Sequence, residues 1–135
     1  MKTFNTEFYV YFEDISPSEK IHLEKIAEWM SMSREQYFKA TCPEHLKFVE
    51  SPVKMFTTNM TILITGSSRW ADKIKAILTT SNIKKISFEM HINFRNERNN
   101  EIIAKTMQKV VFINSETKKF ADIPYDMKEV IINYV

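Results

Sequence analysis

Arg34 is the residue of this sequence best placed to do chemistry, because of where its neighbours put it. Leu23, Ile26, Ala27, Met30 and Tyr37 recur at the three- and four-residue spacing of one helix face. Four residues past Met30, that same face carries Arg34. A guanidinium on an apolar stripe has two outlets. It can pair with a buried carboxylate such as Asp14 or Glu13, holding the helix to the first strand. Alternatively it faces a partly dry cleft, where a fixed cation polarises a carbonyl and stabilises the oxyanion or enolate formed beside it, an effect of about 3 kcal/mol. Ser16 is the second candidate. Its hydroxyl can bond a carbonyl or position a water, but Ser16-Pro17-Ser18-Glu19 also reads as an N-cap, a proline at the first helical position and a completed capping box. The three histidines, His22, His45 and His91, match no zinc spacing, and Cys42 stands alone, so no metal site and no disulfide are expected.

These residues need elements to position them. Residues 3–13 alternate as a strand, with Phe4, Phe8, Val10 and Phe12 on one parity. The capping box predicts a helix over residues 17–40, ending before Pro43. Residues 49–64, 70–80, 83–95 and 102–114 read as strands. The clearest is the third, with Phe88, Met90 and Ile92 facing one way and Glu89, His91 and Asn93 the other. Asn96 to Asn100 reads as a turn in which asparagines take the left-handed conformations usual for glycine. Asp122-Ile123-Pro124 precedes a short helix over residues 125–134. Strand, long helix, four strands and short helix form an α+β order, in which one face of an antiparallel sheet buries the long helix.

Composition narrows the function. The chain has 135 residues, 44% hydrophobic and 27% charged, the balance of one globular domain over residues 1–135. A net charge of +2 is too small to argue for nucleic acid. The single glycine, Gly66, excludes a phosphate-cradling loop and a dinucleotide fingerprint. No apolar run approaches a membrane span, and the N-terminus lacks a signal-peptide core, so a cytoplasmic setting is expected.

Several ordered motifs resemble one family. Tyr11-Phe12-Glu13-Asp14-Ile15-Ser16, Trp29 and Arg34-Glu35-Gln36-Tyr37-Phe38 are followed by Trp70-Ala71-Asp72-Lys73-Ile74, by Ala104-Lys105-Thr106-Met107-Gln108-Lys109-Val110 and by Ile123-Pro124. Together they resemble the 4-hydroxybenzoyl-CoA thioesterase family of hot-dog proteins. Within it, the spacing is most similar to the enediyne polyketide thioesterases, which release a polyene from an acyl carrier protein without the usual acidic residue. The resemblance implies a long central helix wrapped by a curved antiparallel sheet of about five strands. It implies roles for Arg34 as the helix arginine and Thr57 as the threonine of the following strand. Ser16 stands where that subgroup has asparagine and the wider family a catalytic aspartate. Ile26 stands where a tyrosine is expected, and Glu19 replaces a loop glycine, which predicts an extra helical turn there. Asp14 or Glu13 is a candidate to replace the absent acid.

The expectation is therefore an acyl thioester hydrolase acting on acyl-CoA or acyl-carrier-protein substrates, polyketide or fatty acyl. Arg34, Ser16, Thr57 and Asp14 are its catalytic candidates. Ile26, Met30 and Phe56, with Met55, Met60, Phe88 and Met90, are candidates for an acyl tunnel. No cofactor is expected. As hot-dog subunits usually do, the chain should form a homodimer or homotetramer with sites at the interface. A non-catalytic acyl-binding or carrier-docking protein is the alternative. A hydroxyacyl thioester dehydratase is a weaker one, since it needs a histidine–acid pair.

Overall fold

The computed structural model describes residues 2–42 and 50–135. Strands β1 (Phe4–Tyr9), β2 (Val53–Ile64), β3 (Lys73–Ser81), β4 (Ser87–Asn96) and β5 (Glu101–Asn114) form one antiparallel sheet in the order β1-β3-β4-β5-β2, and a two-residue β6 (Lys119–Phe120) pairs with β5. Helix α1 (Leu23–Thr41) follows a 3-10 turn at Phe12–Asp14, and α2 (Tyr125–Ile132) comes last. This is the hot-dog arrangement. Expected residues 43–49, with Pro43, His45 and the start of the second strand at Val49, lie outside the described residues.

The core forms where the α1 stripe meets the inward parity of the sheet. Ile26, Met30, Tyr37 and Phe38 are buried with Phe88, Met90, Ile92, Phe94 and Phe112. Each such side chain contributes about 1.5–3 kcal/mol relative to exposure. Trp29 stacks on Phe8 with centroids 5.0 Å apart, tying α1 to β1. The alternation expected for β4 is observed: Met90 and Ile92 are buried, while Asn93 between strand neighbours Ile77 and Lys105 is exposed. Asn100 adopts the left-handed conformation at φ 62° that the turn requires.

The start of α1 departs from expectation. Ser16-Pro17-Ser18-Glu19 closes a reverse turn and does not begin the helix. Glu19 N–H donates to Ser16 O (3.0 Å), Ser16 N–H donates to Lys20 O (2.7 Å), and Ile15 bridges Ile21 in antiparallel fashion. Serine followed by proline suits the first two positions of a turn as well as a helix start. The turn prevails because it brings Ile21 into the core. Glu19 itself takes φ 62°, so it keeps the backbone shape a glycine would give and adds no helical turn. The helix begins one turn of chain later, with His22 as its N-cap.

β3 likewise starts at Lys73, not at residue 70. Ala71 has φ 70°, and the Asp72 carboxylate accepts the Arg69 N–H (2.8 Å), so residues 69–72 form a turn. Among the described residues no helix is long and apolar enough to cross a membrane.

Candidate active site

The site is built where α1 passes over β2. Among the described residues β2 bonds only to β5 and so forms one edge of the sheet. Its register slips between Thr57 (opposite Val110) and Asn59 (opposite Lys109), leaving Thr58 as the extra residue of a bulge. The bulge inverts the parity of the strand. Met55 and Thr57 before it, and Met60 and Ile62 after it, all lie on the α1 side, opposite the buried Phe112, Val110, Gln108 and Thr106.

Arg34 reaches across to this surface. One guanidinium nitrogen, Nη1, donates to Thr57 Oγ1 (2.8 Å) and to Gln108 Oε1 (3.0 Å). The Thr57 hydroxyl donates in turn to the same Gln108 oxygen (3.3 Å). Gln108 is 1% exposed, and its Nε2 rests 3.9 Å from Met90 Sδ. Two donors converge on one amide oxygen, which fixes the orientation of the amide. Among the described residues no carboxylate lies within ion-pair distance of Arg34; its partners are neutral. Burial pulls its pKa below the ordinary arginine value, yet a guanidinium remains a cation at neutral pH. The Thr57 hydroxyl accepts from Arg34 and donates to a neutral amide, which makes Thr57 an anchor of the cation.

Arg34 opens onto a cleft of about 310 Å³ lined also by Ser31, Glu35, Phe38 and Met55. A second cleft of about 500 Å³, lined by Leu23, Glu24, Ala27, Met60 and Ile62, follows toward the N-terminus of α1. A fixed cation over a cleft with apolar walls can polarise a carbonyl and hold a developing oxyanion.

The structure brings Arg34 and Thr57 together and leaves the other candidates elsewhere. Asp14 is 3% exposed; its carboxylate accepts the Tyr11 N–H (2.9 Å) and pairs with Lys25 Nζ (3.4 Å), so it caps the 3-10 turn and stays with α1's first turn. Ser16 shares a bond with Ser18 Oγ (2.9 Å) and accepts the Lys20 N–H (3.3 Å) in the turn before the helix. Ile26 and Met30 are fully buried core residues, as are Phe88 and Met90, so none of the four lines either cleft. Phe56 lies on the opposite face of β2 from Thr57 and is 38% exposed. The tunnel candidates that do line the clefts are Met55 and Met60.

Gln108 was present in the Ala104–Val110 motif but carried no assigned role. A lone inward glutamine among Thr106 and Val110 was the available signal. His22 sits at the α1 N-cap and His91 bonds Ser81 Oγ (2.7 Å), so among the described residues no histidine–acid pair faces Arg34. The described residues also contain no cluster of His, Cys, Asp and Glu that could hold a metal.

Comparison with known proteins agrees with this fold. A 1,4-dihydroxy-2-naphthoyl-CoA thioesterase from Synechocystis superposes with a TM-score of 0.84 at 15% identity, covering 98% of this chain and 97% of that one. A dynemicin thioesterase studied on polyene binding gives 0.90 at 10% identity, covering 98% and 97%. A 12:0-ACP thioesterase from Umbellularia californica gives 0.80 at 12% identity, covering 98% of this chain and 50% of the other. No curated protein matches in sequence. The model of the acyl-ACP thioesterase N-terminal domain matches residues 1–131, and the chain belongs to that thioesterase family.

Proposed function

We propose that the protein hydrolyses acyl thioesters of coenzyme A or of an acyl carrier protein, with Arg34 as the group that stabilises the transition state. The observation that carries this reading is a half-buried guanidinium held only by the neutral Thr57 and Gln108 and open to a cleft. The thioester carbonyl oxygen accepts from the free side of Arg34. Water attacks the carbonyl carbon, and the negative charge that collects on oxygen meets the guanidinium. Collapse breaks the C–S bond and releases the thiol. Glu35 is the carboxylate that lines the Arg34 cleft, and it takes the proton from the attacking water and returns it to the leaving sulfur. Asp14 is engaged instead by Lys25 and the Tyr11 N–H, which favours Glu35 for this role.

The protein acts as a homodimer joined along the outer edge of β2, a 12-residue strand with exposed Phe56 and Leu63. Light scattering of the purified protein should give the mass of two chains or of four.

Arg34→Ala tests the assignment. It should lower kcat/KM for acyl-CoA by about 10²–10³-fold, the effect of deleting one oxyanion donor, with the fold retained. A loss under threefold would remove Arg34 from the mechanism. Ser16, standing where the family resemblance puts an acid, favours a second reading as an acyl-binding protein. In that case no thiol is released from any acyl-CoA or acyl-carrier substrate, while acyl-CoA still binds.

A further inference from the structure

We propose that the protein seats itself on the surface of a lipid bilayer through an aromatic patch at the end of the molecule where β1 runs out and β3 begins. Phe12 of the 3-10 turn and Trp70 of the turn at residues 69–72 stack face to face, with centroids 4.8 Å and planes 6° apart. Even so, Phe12 is 73% exposed and Trp70 58% exposed. Tyr9 and Tyr11 precede them in the chain. Val10 between the two is buried, so both tyrosines point outward, 55% and 60% exposed. The stack is not needed to join the two turns, because the Val10 N–H already donates to Asp72 O (2.9 Å) and the Ala71 N–H to Val10 O (2.9 Å). A buried carboxylate pins each turn: Asp14 accepts the Tyr11 N–H (2.9 Å) and Asp72 accepts the Arg69 N–H (2.8 Å). The rings are therefore held firmly where water meets them. Arg34 is elsewhere, its cleft lying toward β2, with β4 and β5 between that edge and β3. Lipid binding here is thus independent of the thioesterase reading.

Size and charge identify the occupant. Aromatic side chains of about 200 Å² each, exposed to these extents, leave about 500 Å² in water, the size of a functional patch. A stable contact with a second copy takes about 800 Å² on each partner. An acidic protein or a nucleic acid needs spare cations, and the neighbouring ones are committed: Lys73 to Glu7 (3.0 Å), Arg98 to Asp72 (2.9 Å) and Lys25 to Asp14 (3.4 Å). On the two turns themselves the exposed Glu13 and Arg69 offset one another. What remains is a neutral surface of rings, apolar in body and, in Trp70 and the tyrosines, polar at the tip. Rings of this kind collect at the headgroup level of membranes, half in hydrocarbon and half in water. A zwitterionic bilayer accepts them and requires no charge in return.

The test is co-sedimentation of the full chain with phosphatidylcholine vesicles. Inserting half of the patch gives a binding constant of about 10³ M⁻¹, about tenfold below that of one myristoyl chain, so half the protein should pellet at about 1 mM lipid. Raising the salt from 0.1 to 0.5 M should leave binding unchanged, because no ion pair is involved. Phe12→Ala and Trp70→Ala should each weaken binding about 10–20-fold, while Trp70→Tyr keeps it within about threefold. All three should retain native kcat/KM for soluble acyl-CoA. In the native protein Trp70 fluorescence should shift to the blue on vesicles and be quenched by lipids brominated near the headgroup, while the buried Trp29 is unaffected. That readout needs no variant to fold. No pelleting at 10 mM lipid, or no quenching, overturns the proposal. So does binding undiminished in both alanine variants, or binding that requires anionic lipid and vanishes in 0.5 M salt, since cations and not rings would then hold the protein. A lower solution mass of Trp70→Ala without lipid overturns it as well, because the patch then belongs to a contact between copies of the chain.

Discussion

Gln108→Leu separates a structural role for the Arg34 network from a functional one. The substitution removes the amide oxygen that takes both the Arg34 Nη1 bond at 3.0 Å and the Thr57 hydroxyl at 3.3 Å. A hydrogen bond to a charged group is worth about 1.5–3 kcal/mol, so Arg34 loses one of its two anchors at that cost. Gln108 is almost wholly buried, however, and replacing a buried amide by an alkyl group of similar size recovers about 1–3 kcal/mol of desolvation. The gain is only partial, because the Arg34 N–H and the Thr57 O–H are left without that acceptor, so the urea midpoint should fall by the equivalent of about 1–3 kcal/mol. Activity has no such compensation, because leucine cannot hold the guanidinium in place. The anchor energy converts to a loss of about 10–150-fold in kcat/KM. Thiol release can be followed by a colorimetric thiol reagent, since the protein's own Cys42 is buried and contributes little background. Two results would refute the reasoning. Native kcat/KM in a folded variant would make the cradle irrelevant to catalysis. A stability loss above about 3 kcal/mol with full activity per folded molecule would make Gln108 a purely structural residue.

Two further outcomes concern the scaffold. Glu19→Gly relieves a left-handed residue worth about 1–2 kcal/mol and adds about 0.4–1 kcal/mol of unfolded-state freedom. Stability in urea should therefore rise by up to about 1 kcal/mol, and a decrease would mean the Glu19 side chain stabilises the turn. Asp72 accepts from Asn96 Nδ2 (2.8 Å), Arg98 Nε (2.9 Å) and the Arg69 N–H (2.8 Å). Burial alone would raise its pKa, but these partners outweigh it and hold the carboxyl below its ordinary 3.8. The folded state thus favours the ionised form. The stabilisation is complete above pH 3.8 and fades as the pH falls through the lower folded value. Asp72→Ala should abolish that acid-side slope and cost about 1–3 kcal/mol, because it leaves the fully buried Asn96 amide without its acceptor. Thermal melts between pH 2 and pH 6 check both.

What the sequence made legible follows a physical division. Elements whose order is enforced by burial were readable: the α1 stripe, the alternation of β4 and the asparagine turn all repeat with the period of their structure. Local signals shared by two structures were not. Ser16-Pro17-Ser18-Glu19 fits a capped helix and a reverse turn equally, and only the long-range burial of Ile21 decides between them. Ile26 and Met30, offered for the acyl tunnel, lie in the core for a related reason. Apolar side chains on α1 point either to the core or to the clefts beside β2. Ile26 and Met30 lie one position away from Ala27 and from Ser31, a rotation of about 100° on the helix. Phe56 is next to Thr57 on β2, so the two side chains point to opposite faces and do not share one cleft. The Thr58 bulge, which sequence does not show, is what keeps Met60 and Ile62 on the face of Thr57. Arg34 was legible because a charge on an apolar stripe is a conflict that sequence shows directly. Gln108 was not, because a polar residue on a strand carries no such conflict until its neighbours are known.

In the proposed mechanism the neutrality of the cradle is what makes Arg34 useful. Had Asp14 or Glu13 met it, the pair would have been stable and spent: the cation's field would end on a carboxylate, with little left for a substrate oxygen. Thr57 and Gln108 supply dipoles instead. Each accepts one hydrogen bond from Arg34, fixes the plane of the guanidinium and leaves its net charge uncancelled. The arrangement is costly at rest, since a desolvated cation without a counter-ion is poorly solvated, and burial lowers the arginine pKa accordingly. Under the proposed mechanism that cost is recovered when negative charge appears in the cleft as water adds to a carbonyl. An isosteric Gln108→Glu exchange would convert the second state into the first without altering shape, and the same residue would then hold Arg34 more tightly while silencing it.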